Sequence, residues 1–160
     1  MTRTGDELVD LLSRVRVLLD KDAISTLLNK FAYSLDSKDW VDWEECFAEG
    51  GTISVPSGTC TAGSSLSAWA QRALSGFAAT LHVGTNFDMH FLDHDTATAR
   101  SKLIAVHVGD STAPEDHYDL AGIYDWRLVR RHDGWRIQSV LLTRIAYTGV
   151  DPRNDAAGTA

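Results

Sequence analysis

The sequence predicts an α+β domain in which the helices come first and a curved antiparallel sheet of long strands packs against them. Three segments before residue 80 carry apolar residues at helical spacing, whereas long β-rich segments separated by polar turns begin at residue 81. Asp133-Gly134, between two such segments, is a strong hairpin signal. The chain has 160 residues, enough to bury one core without a metal or disulfide staple. We therefore predict one domain over residues 1–149 and a tail at 150–160.

The three helices are predicted from the spacing of apolar side chains. They are placed at residues 6–36, 39–48 and 65–79. A bend is expected near residues 20–22 of the first helix, since its two apolar stripes need not share a face. Ser37 or Asp39 caps the second helix and Ser64 or Ser65 begins the third, because these short polar side chains accept from exposed backbone N–H groups.

The strands are predicted from β-prone runs and the turns between them. They are placed at residues 52–55, 59–61, 81–92, 96–109, 117–131 and 134–147. Pro56-Ser57-Gly58 reads as the turn between the first two strands, and Asp93-His94-Asp95 separates the third from the fourth. The order of elements places helices on one side of a meander.

Charge and cysteine content exclude several classes of partner. The net charge is -7, from 22 acidic and 15 basic residues, and the basic residues are scattered. Phosphate binding needs clustered Lys and Arg, so we expect neither nucleic acid nor a membrane as partner. No apolar run approaches the ~20 residues of a membrane span, and the acidic N-terminus does not resemble a signal peptide. The two cysteines form no disulfide framework or zinc motif, which favours a cytoplasmic protein.

Motifs for cofactor and metal chemistry are missing from the sequence. It has no glycine-rich phosphate loop, no nucleophile elbow and no His-Glu-x-x-His helix. His90 and His94, with Asp93 and Asp95, could suggest a metal, but they straddle a predicted turn and a solvated turn is favoured. We expect no cofactor and no metal.

Asp36 and His82 are the first two candidates for chemistry. Asp36 ends the first helix, where the helix dipole disfavours its charge unless a cation is near, and a histidine is a natural partner. Alternatively, Asp36 only caps the turn that follows. Strict alternation places His82 on the outer face of its strand, whereas a bulge at Gly84 would bring it to the apolar face with Phe87.

His107 is the third candidate. Leu103, Ala105 and His107 alternate on one face of the next strand, and this face is small and apolar enough to line a cavity. The alternative is a core histidine with its hydrogen bonds satisfied.

Three motifs together resemble the SnoaL-like branch of the fold shared with nuclear transport factor 2. They are Leu35-Asp36-Ser37-Lys38-Asp39-Trp40, His82-Val83-Gly84-Thr85-Asn86, and the stretch from Gly122-Ile123-Tyr124 to Asp133-Gly134-Trp135-Arg136-Ile137. The first motif is similar to scytalone dehydratase and the second to hexachlorocyclohexane dehydrochlorinase, both cofactor-free lyases. The resemblance implies a cone-shaped sheet packed on about three helices around an apolar pocket.

The resemblance also implies roles for particular residues. Asp36 and His82 match the family's Asp–His dyad, and His107 matches a second pocket histidine. Leu35 and Val55 stand where the dehydratase has two tyrosines, so scytalone itself is not the expected substrate. The implied substrate-binding positions are Trp40, Val55, Asn86, Ile123 and Asp125, the last two replacing a polar pair.

The predicted function is a cofactor-independent lyase in which His82 takes a proton from a hydrophobic cyclic molecule, Asp36 orients its ring, and His107 binds the leaving oxygen or the enolate. A polyketide cyclase or isomerase using the same dyad is an alternative, as is a non-catalytic ligand-binding module. An epoxide hydrolase would need more pocket carboxylates and an arginine, and strand parity argues against Arg144. By analogy the protein forms a homodimer or homotrimer through one exposed sheet face.

Overall fold

A computed structural model of the chain describes residues 5–61, 65–149 and 151. In chain order its elements are α1 (Gly5–Ser37), α2 (Trp40–Glu45), β1 (Phe47–Val55), β2 (Gly58–Thr61), α3 (Leu66–Leu74), β3 (Ala79–Phe91), β4 (Thr96–Val108), β5 (His117–Arg131) and β6 (Gly134–Thr148). The four long strands predicted from residue 81 onward are confirmed to within two residues at each end. Apart from Asp151, the predicted tail at 150–160 lies outside the described residues.

The first helix runs without a break through residues 20–22, where the sequence suggested a bend. No Gly or Pro interrupts the helix after its first residue, and nothing therefore breaks its hydrogen-bond ladder. Only the second half of α1 is buried against the sheet, through an apolar stripe with a spacing of three and four residues. That stripe comprises Ile24, Leu27, Leu28, Phe31 and Leu35.

The second and third helices are shorter than predicted. Asp39 caps α2 by accepting a hydrogen bond from the backbone N–H of Asp42 at 3.1 Å. Ser65 caps α3 in the same way, and Glu44 Oε1 accepts from the N–H of Leu66, which ties the start of α3 to α2. Gly50 and Gly51, which follow the predicted second helix, lie within β1.

Within the described ranges, six strands form one sheet in the order β2-β1-β6-β5-β4-β3. The sheet is mixed, because β1 pairs with β6 in parallel while the other neighbours are antiparallel. A wholly antiparallel sheet was the expectation, and the exception arises because α3 and the long meander separate β1 from β6 in sequence. The three helices pack against this sheet, as the α+β prediction required.

One end of the space between sheet and helices is filled by aromatic side chains. The ring of Phe31 lies 5.2 Å from that of Trp126 and 5.6 Å from that of Trp43. Trp126 Nε1 donates to Ser101 Oγ at 3.0 Å, so this buried polar pair is satisfied. Toward the other end the inner face carries smaller side chains such as Ala105, and the space there remains open.

Among the described residues, no helix is both long and apolar enough to span a membrane. Cys46 and Cys60 are buried thiols outside any disulfide. Burial raises the pKa of the Cys46 thiol to about 11, so this thiol stays protonated and unreactive at neutral pH.

Candidate active site

Asp36 and His82 meet at the edge of the sheet. Asp36 lies in the last turn of α1 and His82 near the start of β3, and Asp36 Oδ1 is 2.6 Å from His82 Nδ1. The other carboxylate oxygen, Oδ2, accepts from the backbone N–H of His82 at 2.8 Å. Thr80 Oγ1 donates to Oδ1 at 2.8 Å. These three hydrogen bonds fix both the carboxylate and the imidazole ring.

These contacts also determine the charge of Asp36. Burial opposes ionisation of its carboxyl group, but the hydrogen bonds and positive potential from His82, together with the bond from Thr80, outweigh it and hold the pKa below its ordinary value. Asp36 is therefore an anion at neutral pH and accepts from His82. The proton of the neutral imidazole is on Nδ1, and Nε2 carries a lone pair.

His82 faces the interior because β3 contains a bulge. The pairing of β3 with β4 advances by three residues from Thr85 to Asp88 but by only two from Lys102 to Arg100. Asn86 takes up the extra residue with a φ of +55°, a conformation that Asn tolerates better than most residues. The inward face before the bulge therefore includes His82, whereas after it the inward face includes Phe87. A bulge was anticipated at Gly84, and it lies two residues later.

His82 borders a cavity of about 510 Å³ between the sheet and the helices. The walls are mostly apolar, with a few polar side chains, as is typical of a small-molecule site. Its apolar lining includes Leu35, Trp43, Ile53, Val55, Trp69, Ala70, Leu74, Leu103, Ala105, Leu120 and Leu142. The polar side chains of His82, His107, Tyr118, Tyr124, Arg144 and Asp151 complete it, with Ser57 at the β1–β2 turn.

His107 lines the same cavity. Its ring lies 5.3 Å from that of His82, edge to face, and its Nδ1 is 3.1 Å from the backbone oxygen of Tyr118. Because a carbonyl oxygen only accepts, Nδ1 of His107 must carry a proton. In the neutral ring Nε2 is then an acceptor, so it can bind a hydroxyl group that donates to it.

Tyr124 and Arg144 are among the polar residues of the cavity that were not predicted as site residues. Tyr124 lines the cavity, and its hydroxyl group has no hydrogen bond to the other described residues. Burial, reinforced by the charge of Asp36, raises the pKa of Tyr124 and keeps the phenol neutral. Arg144 also lines the cavity, which corrects the expectation from strand parity. Leu128 pairs with Ile137 but Arg127 with Ser139, and this bulge in β6, which precedes Arg144, reverses the parity.

A family model described as the SnoaL-like domain matches residues 16–140 of the chain. The chain belongs to the SnoaL-like family. No curated protein sequence matches it.

Solved structures share the SnoaL-like fold at low sequence identity. A Novosphingobium aromaticivorans protein with the provisional name scytalone dehydratase has a TM-score of 0.75 and 21% identity, covering 84% of this chain and 89% of its own. A hexachlorocyclohexane dehydrochlorinase, LinA type 3 from Novosphingobium barchaimii, has a TM-score of 0.74 and 15% identity, covering 87% and 95%. The Kfla4162 protein of Kribbella flavida has a TM-score of 0.74 and 27% identity, covering 82% and 95%. The cavity and the SnoaL-like family together support a small-molecule-binding or lyase-type function.

Of the predicted substrate-binding positions in this SnoaL-like chain, only Val55 lines the cavity. Trp40 packs against the core from α2 without reaching the cavity lining. Asn86 is exposed, because as the extra residue of the bulge it points away from the paired backbone. Through the bulge, Asn86 sets the direction in which His82 points, but Asn86 is not part of the cavity wall.

Ile123 and Asp125 lie on the opposite face of the sheet, which corrects their predicted position. Gly122 and Tyr124 occupy the inward positions of β5, so the residues between and after them must point outward. Asp125 accepts there from Arg100 Nε at 2.7 Å.

The histidines near the β3–β4 turn pair with single aspartates. His90 lies 3.1 Å from Asp88, and His94 Nδ1 lies 2.7 Å from Asp95 Oδ1. Within the part of the chain that the structure describes, no group of three or more His, Cys, Asp or Glu residues could hold a metal ion.

Proposed function

We propose that this SnoaL-like protein is a cofactor-independent lyase of the dehydratase type that acts on a hydrophobic cyclic small molecule. The observation that carries the proposal is the 2.6 Å contact between Asp36 and His82 at the wall of an apolar cavity. A carboxylate that fixes an imidazole by Nδ1–H leaves Nε2 as an oriented general base. Such a base takes a proton from carbon beside a carbonyl group.

The proposed reaction is the loss of water from a β-hydroxy carbonyl compound. His82 Nε2 removes the proton on the carbon beside the carbonyl, and the electron pair of that C–H bond becomes an enolate. The enolate then forms the C=C bond as the C–O bond to the hydroxyl group breaks. The proton held by the imidazolium of His82 passes to the leaving oxygen, so water is released and the base is regenerated.

Two further cavity residues serve this reaction. Tyr124 stays neutral and donates its hydroxyl proton in a hydrogen bond to the carbonyl oxygen, where negative charge develops. His107 accepts through Nε2 from the substrate hydroxyl group and holds it toward His82. The sequence-derived role of His107, binding the leaving oxygen, is therefore retained with His107 as acceptor. Donation to an enolate would require the protonated ring.

The same dyad also serves an isomerase or a polyketide cyclase, because each reaction begins with proton removal beside a carbonyl group. A non-catalytic ligand-binding module would use the cavity without the base.

The experiment that separates these functions incubates the protein in D₂O with a panel of β-hydroxy cyclohexanones and tetralones. Mass spectrometry reports deuterium uptake beside the carbonyl, and ultraviolet absorbance reports the conjugated enone.

Loss of water supports the lyase, with or without deuterium beside the carbonyl, and deuterium uptake without loss of water supports the isomerase or cyclase. Binding of the panel with neither loss of water nor deuterium uptake would overturn the use of His82 as a base. His82→Ala is the comparison variant for background exchange, and Asp125→Asn, on the outer face, is the control for a changed charge.

We also propose that the protein forms a homodimer or homotrimer through the outer face of the sheet and is located in the cytoplasm. Leu81, Val83 and Ile104 are exposed there on neighbouring strands, and apolar patches of this kind mark interaction sites. Sedimentation velocity of the wild type and of Ile104→Lys tests the contact, since an unchanged mass for the variant contradicts it.

The cytoplasmic location is suggested by the two buried thiols and can be tested by fractionation.

A further inference from the structure

Arg144 lies across the cavity from His82. His82 pairs with Ala105 on β4, Ala105 with Leu120 on β5, and Leu120 with Tyr147 on β6, the strand that carries Arg144. Three strand spacings of about 4.8 Å each separate β3, which carries His82, from β6, which carries Arg144, by roughly 14 Å across the sheet. Ala105 and Leu120, which lie between these two strands on the cavity side of the sheet, are apolar.

The guanidinium group of Arg144 is held in place by two tyrosine side chains. Its plane lies over the ring of Tyr147 at 4.6 Å, and its Nη1 lies 3.4 Å from the hydroxyl oxygen of Tyr118. None of the ion pairs found among the described residues includes Arg144. A guanidinium stacked by its face keeps N–H groups at its edges, in the fork geometry that matches a carboxylate.

We propose that the substrate carries an anionic group, most simply a carboxylate, which Arg144 binds while the reacting carbon lies at His82. This inference rests on the proposed catalytic use of the same cavity. It defines the substrate class as amphipathic: a cyclic apolar body with a carboxylate at the end remote from the reacting carbon.

The test compares 2-naphthoate with the neutral 2-naphthamide, two ligands of nearly the same shape. Tryptophan fluorescence reports binding, since Trp43 and Trp69 line the cavity. We expect the wild type to bind the carboxylate about tenfold more tightly. Arg144→Met should lose this preference and Arg144→Lys should retain part of it. Arg127→Met, an arginine on the exposed outer side of β5, is the control for total charge.

Equal affinity for the two ligands in the wild type, or an unchanged preference in Arg144→Met, would overturn the anionic class. The measurement needs no turnover, so it is separable from the lyase proposal. His82→Ala should keep the preference for the carboxylate whether or not the protein is a lyase.

An independent feature is the first half of α1, where most apolar side chains are exposed in the part of the chain that the structure describes. Leu12, Leu18 and Leu19 are 59%, 65% and 64% exposed. They belong to a stripe along one side of the helix, comprising Leu8, Leu11, Leu12, Val15, Leu18 and Leu19. Most of this segment precedes residue 16, where the family match begins. A stripe of this spacing is suited to packing against another helix.

The charges along this segment favour a second copy of the chain in antiparallel orientation. The start of the segment carries three acidic residues and its later part three basic and two acidic ones, so the net charge changes from -3 to +1 along it: Asp6, Glu7 and Asp10, then Arg14, Arg16, Asp20, Lys21 and Asp22. Antiparallel pairing places the acidic end of one helix beside the net basic end of the other, whereas parallel pairing places the two acidic ends together.

We infer that this segment of α1 pairs with the same segment of a second copy, a contact separate from the outer sheet face. Sedimentation velocity over a dilution series tests it with Val15→Glu, in the stripe, and Ser13→Glu, on the opposite side of the same helix. Val15→Glu should weaken self-association at least tenfold and Ser13→Glu should leave it near the wild-type value. Circular dichroism checks that both variants remain helical.

Equal behaviour of Val15→Glu and Ser13→Glu, or a wild type that stays monomeric, would overturn the inference.

Discussion

Asp36 Oδ1 lies 2.6 Å from His82 Nδ1, although the two residues are 46 positions apart in the chain. The contact is between the end of a helix and the edge strand of a sheet, so it requires both the docking of α1 and the direction of β3. Three of the predictions below follow from this geometry, and the fourth concerns the docking of α1.

Replacing Asp36 by Asn is expected to reduce turnover about 10²- to 10⁴-fold, the usual contribution of an oriented base. The amide cannot stabilise an imidazolium, and its NH₂ group competes for the position of the His82 ring. Steady-state kinetics on the substrate found with the ketone panel is the measurement. Asp125→Asn should keep wild-type turnover, and equal losses in the two variants would contradict the role of Asp36.

The stability that Asp36 contributes should depend on pH. Because folding lowers its pKa, the contribution is present above the ordinary Asp value of about 4 and disappears as the pH falls through the lower folded value. Urea unfolding of the wild type and Asp36→Asn at pH 7 and pH 3 measures it. The difference in free energy of unfolding should be smaller at pH 3; a constant difference would mean that the charge of Asp36 plays no part.

The bulge at Asn86 should tolerate Gly but not a β-branched residue. Its φ of +55° costs Val roughly 1–2 kcal/mol, whereas Gly adopts this conformation freely. Asn86→Gly is therefore expected to keep both stability and turnover, and Asn86→Val to lose stability in thermal unfolding. If Val is accepted without loss, the positive φ is not needed to hold the bulge.

Asp20 should anchor α1 to the β5–β6 hairpin. Its carboxylate accepts from Arg130 Nη2 at 2.6 Å and from Trp135 Nε1 at 3.3 Å, and the Arg130 guanidinium also lies over the Trp135 ring at 4.4 Å. Asp20→Ala leaves both donors without their acceptor, so we expect a loss of about 1–3 kcal/mol in urea unfolding. Asp22→Ala, on the exposed side of the same helix, is the control and should cost less.

Local patterns were sufficient to predict the helices and the four long strands. Periodicity locates α1, and Asp133-Gly134 locates the β5–β6 turn, because turn chemistry and side-chain period act within a few residues. The parallel pairing of β1 with β6 could not be predicted in this way. It joins Thr52 to Ser139, and the chain between them carries no local signal of which edge β1 will occupy.

The sequence by itself determined the α+β class, the candidates Asp36, His82 and His107, and the low cationic content that argues against phosphate-binding partners. The tertiary structure decided which of the chosen side chains share a cavity. Bulges at Asn86 and before Arg144 each shift the alternation by one residue, and one shift moves every following side chain to the other face. For this physical reason His82 and Arg144 face inward against simple parity, whereas Ile123 and Asp125, on the unbulged β5, face outward by plain alternation.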